Sequence, residues 1–127
     1  MIDTRSALLR CELRVLPHQA IRDLENDLGL KPEDIAAALG VDRRTVERWR
    51  DKGDIPQERA RQDLARLHAL RDRLLESFTP EGARSWVHNS SGFFRGLKPV
   101  QIIRGGQVDG VASAFAALEA LEDGAYL

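Results

Sequence analysis

The stretch from Pro32 to Trp49, which reads PEDIAAALGVDRRTVERW, constrains the fold of this chain more than any other segment. Apolar residues recur at spacings of three and four on both sides of Gly40-Val41-Asp42, which predicts two short helices. Gly40 permits the turn of the backbone, and Asp42 is expected to cap the second helix. The side chains predicted to face inward are Ile35, Ala36, Leu39, Val41, Val46 and Trp49.

Helical spacing of apolar residues extends beyond this motif. A helix is predicted from about His18 until Gly29, and Pro56 is expected to open a long helix further along the chain. His68 is expected to be a partly exposed residue of that long helix. The predicted apolar stripe of the long helix consists of Ala60, Leu64, Leu67, Leu70, Leu74 and Phe78.

The last third of the chain is predicted to contain shorter helices. Thr79-Pro80 starts one that runs to about Val87, and Pro99 starts a helix of one to two turns that ends at Gly105-Gly106. A final helix is predicted from about Val108 to Leu121. Its inward side chains are expected to be Val111, Phe115, Leu118 and Leu121.

The segment from residue 4 to residue 16 fits two patterns. Leu9, Cys11, Leu13 and Val15 alternate with charged residues, which is typical of a strand, whereas Leu9, Leu13 and Leu16 also share one helix face. We favour a helix or an arm here. A strand that pairs with the same strand of a second chain remains the alternative.

Composition excludes several classes of protein. The 127 residues carry a net charge of -1, unlike a wholly basic nucleic-acid coat protein, and no apolar run approaches the ~20 residues that span a bilayer. Because Cys11 is the single cysteine, no intramolecular disulfide can form, and we expect a cytoplasmic protein. Residues 41–78 nevertheless carry ten basic and eight acidic side chains, which suits either nucleic-acid contacts or a solvated helix face.

No catalytic pattern is evident in the sequence. His18, His68 and His88 are far apart along the chain, and Cys11 has no histidine neighbour. Gly105-Gly106 matches no phosphate-binding loop. We therefore expect a non-enzymatic protein with no catalytic residues, no metal site and no cofactor.

The two-helix motif resembles the helix-turn-helix of Xre/Cro-type DNA-binding proteins, in which the N-terminal half of the second helix enters the major groove. Arginines there can bind guanine, whereas Glu47 can accept from cytosine or pair with Arg43 or Arg50. Arg50 and Lys52 are expected to contact phosphate. The motif can also serve packing alone. The predicted DNA-binding residues are Arg43, Arg44, Thr45, Glu47, Arg48, Arg50 and Lys52.

The order of landmarks after residue 79 points to a second function. These landmarks are Ala83-Arg84-Ser85-Trp86-Val87, Asn89, Phe93-Phe94-Arg95-Gly96, Pro99, Gly106 and Val111 to Leu118. Their order resembles the toxin-binding domain of Xre/MbcA/ParS-type bacterial antitoxins. His88 departs from that pattern, which commonly has a proline there.

The resemblance implies a protein partner. Antitoxins of this kind bind RES-type toxins, which degrade NAD, and the C-terminal end of the antitoxin obstructs the toxin's active-site entrance. Here that end is Ala125, Tyr126 and Leu127. Relatives with a helix-turn-helix self-associate, which suggests a homodimer, and can repress their own operon by binding operator DNA.

These observations predict an all-α protein in two units. Residues 1–78 form a helix-turn-helix unit with its motif at about 32–52, and residues 79–127 form a toxin-binding unit packed on the long helix or on another chain. The alternatives are a dimeric transcriptional repressor without a toxin partner and an assembly protein that does not bind DNA.

Overall fold

The computed structural model describes residues 13–105 and 110–124, in which all regular elements are helices, as expected for an all-α fold. Residues 4–12 of the ambiguous opening segment lie outside the described residues, and residues 13–16 form neither a helix nor a strand. The elements are α1 (Pro17–Leu28), α2 (Pro32–Leu39), α3 (Arg43–Lys52), α4 (Glu58–Ser77), α5 (Pro80–His88), a 3-10 turn (Gly92–Phe94), α6 (Pro99–Arg104) and α7 (Gly110–Glu122).

Helices α2 and α3 form the predicted helix-turn-helix. Gly40 follows α2 with φ 70°, a left-handed conformation that glycine adopts without strain, and the chain reverses into α3 there. Asp42 occupies the residue before α3 as expected, but its side chain makes no capping hydrogen bond. Val46 and Trp49 are buried, so the inward face of α3 matches the predicted one.

Helix α4 is the central helix of the fold and contacts α1, α2, α5 and α7. It begins at Glu58, two residues later than predicted, because Pro56 lies in the preceding loop and Gln57 is the N-cap residue. The expectation that His68 is partly exposed is wrong. Its ring is buried because α4 is covered on that side by α1, and its Nε2–H donates to Oδ2 of Asp23 at 2.9 Å.

The C-terminal helices share one hydrophobic core with the helix-turn-helix. Ala83, Val87, Ile103 and Leu118 belong to the same buried cluster as Leu24. The predicted inward face of α7 is largely confirmed, because Leu118 is fully buried and Val111 and Phe115 are partly buried and pack against the core. Leu121 is partly buried but is not among the described side chains that pack against that cluster. The residues of α7 that are buried are Gly110, Ala114, Ala117 and Leu118.

The end of α1 is held by side chains of α5. Arg84 donates from Nη2 to the backbone carbonyl oxygen of Asn26 at 2.5 Å. The Nε2–H of His88 donates to the backbone carbonyl oxygen of Leu28 at 2.9 Å. These carbonyls have no partner within α1, and they carry the negative end of the helix dipole. Histidine at position 88 therefore supplies a donor to a neighbouring helix end.

A second contact joins α2 to α6. The buried carboxylate of Asp34 accepts from the backbone N–H of Lys31 at 2.8 Å through Oδ2, and Oδ1 lies 3.1 Å from Nη1 of Arg104. One acidic side chain thus caps α2 and binds the last residue of α6. Across the described ranges, no helix is long and apolar enough to cross a membrane.

Candidate functional site

The exposed face of α3 carries most of the charged residues predicted to bind DNA. The burial of Val46 and Trp49 fixes the rotation of this helix, so that Arg43, Arg44 and Arg48 lie on its solvent side. Thr45, which stands between the two faces, is half-buried. The structure therefore brings the N-terminal arginines of α3 together on one exposed surface.

Two of these arginines are engaged with carboxylates. Nε of Arg43 lies 3.1 Å from Glu47, one turn along α3, and its Nη1 lies 3.4 Å from Glu33 at the start of α2. Arg48 makes a longer contact of 3.7 Å with Asp54. Of the two roles considered for Glu47, the free protein shows the ion pair with Arg43. Exposed pairs of this kind contribute little stability, so a DNA base or phosphate can replace them at low cost.

Glu33 is held in its charged form beside these arginines. Its pKa is lowered mainly by the hydrogen bond from its own backbone N–H at the start of α2, which outweighs the effect of desolvation that raises it. The hydrogen bond from Arg43 lowers the pKa further. DNA approaching α3 therefore meets a carboxylate that stays ionised at neutral pH.

Arg50 is placed differently from the other arginines of α3. It binds Asp51 through Nε at 2.8 Å and Glu25 of α1 through Nη1 at 2.8 Å, and its side chain is 24% exposed. The hydrogen bond with Asp51, followed by that with Glu25, raises the pKa of Arg50. Because Arg50 already ties α3 to α1, the predicted phosphate contact would have to compete with both carboxylates.

Arg44 and Lys52 are the cations of α3 that make no ion pair with any residue the structure describes. Both are exposed, and neither has an ion pair or side-chain hydrogen bond within the described ranges. Together with Arg48 they provide donors along the outer face of the helix, which is suited to base edges at its N-terminal end and to phosphate at its C-terminal end. Whether they bind DNA stays a prediction.

The second predicted site falls at the end of the chain. Ala125, Tyr126 and Leu127 lie outside the described residues, so their assignment to the toxin stays a prediction. The helix that leads to them is fixed, because Glu122 accepts from Ser77 Oγ at 2.6 Å and from Arg73 Nη2 at 2.9 Å. The pKa of Glu122 is lowered chiefly by the hydrogen bond from Ser77. The end of α7 thus lies beside the C-terminal end of α4.

Sequence reasoning missed the residues that join the two units. Asp34 is not among the predicted site residues, although its position three residues after Lys31 is typical of a capping side chain. Arg84 was recognised only as part of a family-like motif. No local signal marks Arg104 as the partner of Asp34, because the two are 70 positions apart.

Comparison with known proteins finds matches for the N-terminal helices and for most of the chain. Residues 18–52, which comprise α2, α3 and all of α1 except Pro17, match the model of a homeodomain-like domain. A protein of Mycobacterium tuberculosis named as a probable mycobacterial cidal antitoxin is 34% identical over 117 residues, which cover 90% of this chain and 95% of the relative. The chain belongs to the mycobacterial cidal antitoxin family. This membership confirms the resemblance drawn from the C-terminal landmarks.

Two further comparisons, at lower sequence identity, also match cidal antitoxins. The mycobacterial cidal antitoxin MbcA of Mycobacterium bovis is 26% identical over 100 residues, 79% of this chain and 86% of the relative. A chain in the crystal structure of the M. tuberculosis MbcT-MbcA toxin-antitoxin complex matches with a TM-score of 0.64 and 24% identity. That match covers 91% of this chain and 100% of the other, and it shows a common fold.

Proposed function

We propose that this member of the cidal antitoxin family binds and occludes a RES-type NAD-degrading toxin, and that it represses its own operon as a dimer bound to operator DNA. The observation that carries the proposal is the relation to a cidal antitoxin along 90% of the chain, including both the helix-turn-helix and the C-terminal helices. The expected setting is the cytoplasm, where both the toxin and the operon would be found.

Occlusion is assigned to the tail that follows α7. The contacts of Glu122 with Arg73 and Ser77 hold the end of α7 against α4, so a tail that enters a toxin would do so from a fixed support. A tyrosine gives a large contact area at a small entropic cost, which favours Tyr126 as the main contact. Ala125 and Leu127 flank it in sequence.

Deletion of residues 125–127 tests this mechanism. The full and shortened chains are co-expressed with the toxin encoded by the adjacent gene, and growth, NAD level and co-purification are followed. We expect the full chain to preserve growth and NAD, and the shortened chain to lose this protection while its thermal unfolding is unchanged. Full protection by the shortened chain would rule out occlusion by the tail, and the absence of any toxic neighbour would favour a repressor without a toxin.

DNA binding is assigned to the exposed face of α3. If Arg44 and Arg48 each make a bidentate base contact, Arg44→Ala and Arg48→Ala each weaken binding to the operator by about 1–3 kcal/mol, which is roughly 5- to 150-fold. Lys52→Ala should instead weaken binding similarly on every sequence and reduce the salt dependence by about one phosphate contact. Lys98→Ala, which removes an exposed cation outside α3, is the matched control.

These variants are compared by gel shift on the promoter region of the operon and on an unrelated fragment of equal length. Unchanged binding in both arginine variants would contradict the assignment of α3 as the recognition helix. A dimer is expected on two half-sites about one helical turn of DNA apart, because one short helix contacts few bases. Footprinting measures that spacing.

A further inference from the structure

Arg43, the first residue of α3, lies between two carboxylates that come from different helices. Its Nη1–H donates to Oε1 of Glu33 in α2 at 3.4 Å, and its Nε lies 3.1 Å from Oε1 of Glu47 in α3. Among the residues that the structure describes, Arg44 has no such partner, and Arg48 has a single contact of 3.7 Å. Arg43 is therefore the exposed arginine of α3 whose guanidinium is held from two sides.

The helix turn that carries Glu33 is firmly anchored. Glu33 and Asp34 both lie in the first turn of α2. The buried carboxylate of Asp34 accepts from the backbone N–H of Lys31 at 2.8 Å and lies 3.1 Å from Nη1 of Arg104 in α6. Glu33 therefore contacts Arg43 from a part of the fold that is tied to a third helix.

The two contacts leave part of the Arg43 guanidinium available. In the described ranges neither carboxylate contacts Nη2, and the side chain is 55% exposed. An arginine recognises guanine by two parallel N–H donors directed at O6 and N7, and the planar guanidinium presents such a pair at Nη1 and Nη2. Arg43 can therefore bind a guanine while both carboxylates remain in place.

A carboxylate in this position has opposite effects on affinity and on specificity. Glu33 is ionised at neutral pH, so it repels the phosphates of any DNA that approaches α3. A guanidinium that is already oriented, however, loses less conformational entropy when it binds the correct base. Glu33 should thus weaken binding to all sequences and favour the one that places a guanine opposite Arg43.

We infer that Glu33 is a specificity-determining residue of the DNA site, because it orients Arg43 from α2, together with Glu47, to read a guanine in the operator. The inference rests on the proposed DNA binding and deepens it. Glu33 is a positioning residue, since it acts through Arg43 and makes no base contact of its own.

The test measures the affinity of the full chain for the promoter region of its operon and for an unrelated fragment of equal length. The ratio of the two affinities is the specificity ratio. For Glu33→Gln we expect tighter binding to the unrelated fragment, because one negative charge is lost, and a specificity ratio that falls about five- to tenfold.

Asp42→Asn is the matched control for the loss of charge. Asp42 is exposed next to Arg43, and it makes no ion pair or side-chain hydrogen bond in the part of the chain that the structure describes. The change removes the same charge from the same end of α3. It should tighten binding to both fragments equally and leave the specificity ratio as it is in the parent chain.

Arg43→Lys identifies the residue through which Glu33 acts. Lysine keeps the charge but lacks the planar pair of donors, so the specificity ratio should fall by about tenfold or more. Adding Glu33→Gln to Arg43→Lys should lower the ratio no further, because the two changes remove one shared interaction. Single base-pair replacements in the promoter fragment should show that both single variants lose discrimination at the same G·C pair. Circular dichroism and thermal unfolding confirm that every variant is folded.

The outcomes separate this inference from the proposed function. If Glu33→Gln tightens binding to both fragments equally, as Asp42→Asn does, Glu33 only repels phosphate and the inference is overturned. A further loss of specificity in the combined variant would also overturn it, since Glu33 would then act independently of Arg43. Both results leave DNA binding by α3 standing. A parent chain that binds the two fragments equally would instead overturn operator recognition, and the inference with it.

Discussion

The helix-turn-helix and the C-terminal helices are held in place by different kinds of interaction. Helices α1, α2 and α3 each end at a glycine in the left-handed conformation, so their lengths and turns are specified by nearby residues. Helices α5, α6 and α7 rely instead on contacts with residues far away in the sequence, such as those of Arg84 with α1 and Arg104 with α2. The ends of the helices in the first region are set by nearby residues, whereas the second region is joined to the first by contacts between residues distant in sequence.

This difference should be visible in how the protein unfolds. Because the two regions share one core, the C-terminal helices cannot be loosened without removing contacts from α1, α2 and α4. If residues 78 and 79 separate two units, these units differ in function but unfold together. The three predictions below test that view, beginning with the largest expected effect.

Leu118→Ala should destabilise the whole chain. Leu118 is fully buried in the shared cluster, and truncating such a leucine costs about 2–5 kcal/mol. In a Trp86→Phe background the fluorescence of Trp49 reports on the helix-turn-helix, and we expect its unfolding midpoint in urea to fall together with that of the far-ultraviolet dichroism. Ala116→Gly, at an exposed position of α7, is the control for a change of helix propensity alone. An unchanged Trp49 midpoint would show two independent units.

Gly110→Ala should have a smaller but still large effect on the C-terminal helices. A Cβ atom at Gly110 would lie 2.6 Å from the carbonyl oxygen of Ile102, so α6 and α7 must separate or shift. Overpacking of this kind costs about 1–3 kcal/mol. Gly105→Ala is the matched control, since its nearest atom would be 3.3 Å away and its φ is -60°. Equal unfolding free energies for the two variants would mean that the close approach at Gly110 is not required.

The smallest of the three effects is on how the free energy of unfolding changes at acidic pH. Burial raises the pKa of Asp23, but hydrogen bonds from His68 and Gln19 outweigh it and leave the pKa below 3.8. A pKa lowered by folding means that stability is fully present above about 3.8 and is lost as pH falls through the value in the folded protein. Asp23→Asn should therefore flatten the dependence of unfolding free energy on pH below about pH 4.

The control for this prediction is Asp123→Asn, which changes an exposed carboxyl group after α7. Urea unfolding at a series of pH values compares the parent chain with both variants. As pH falls, the free energy of unfolding of the parent chain and of Asp123→Asn should decrease in parallel. The decrease for Asp23→Asn should be shallower. Parallel curves for all three proteins would show that the contact between α1 and α4 through Asp23 and His68 does not carry the acid sensitivity.

The parts of the fold that could be predicted from sequence are those governed by neighbouring residues. Residue preferences and helix periodicity predict three features that the structure has. They are the turn at Gly40, the inward positions Val46 and Trp49, and the start of α5 after Thr79. The predicted start of α4 is wrong by two residues, and the reason lies in the adjacent residues. Pro56 suits a first helical turn but lies in the loop before Gln57.

The remaining residues depend on partners that periodicity does not reveal. His68 lies on the apolar side of α4, but its burial depends on Asp23 of α1, 45 positions earlier. Gly110 was not singled out at all, because only the position of α6 shows why a side chain does not fit there. In the candidate site the exposure of Arg44 and Arg48 follows from helix periodicity, whereas the engagement of Arg50 with Glu25 does not.

Helix α4 also acts as a spacer of fixed length. Its first turn follows the loop from α3, and its last turn holds Glu122 through Arg73 and Ser77, so its 20 residues separate the two ends by about 30 Å. Each residue inserted into α4 would advance its far end by about 1.5 Å and rotate it by about 100° relative to α3. The length of α4 therefore sets both the distance and the direction between the surface of α3 and the end of α7.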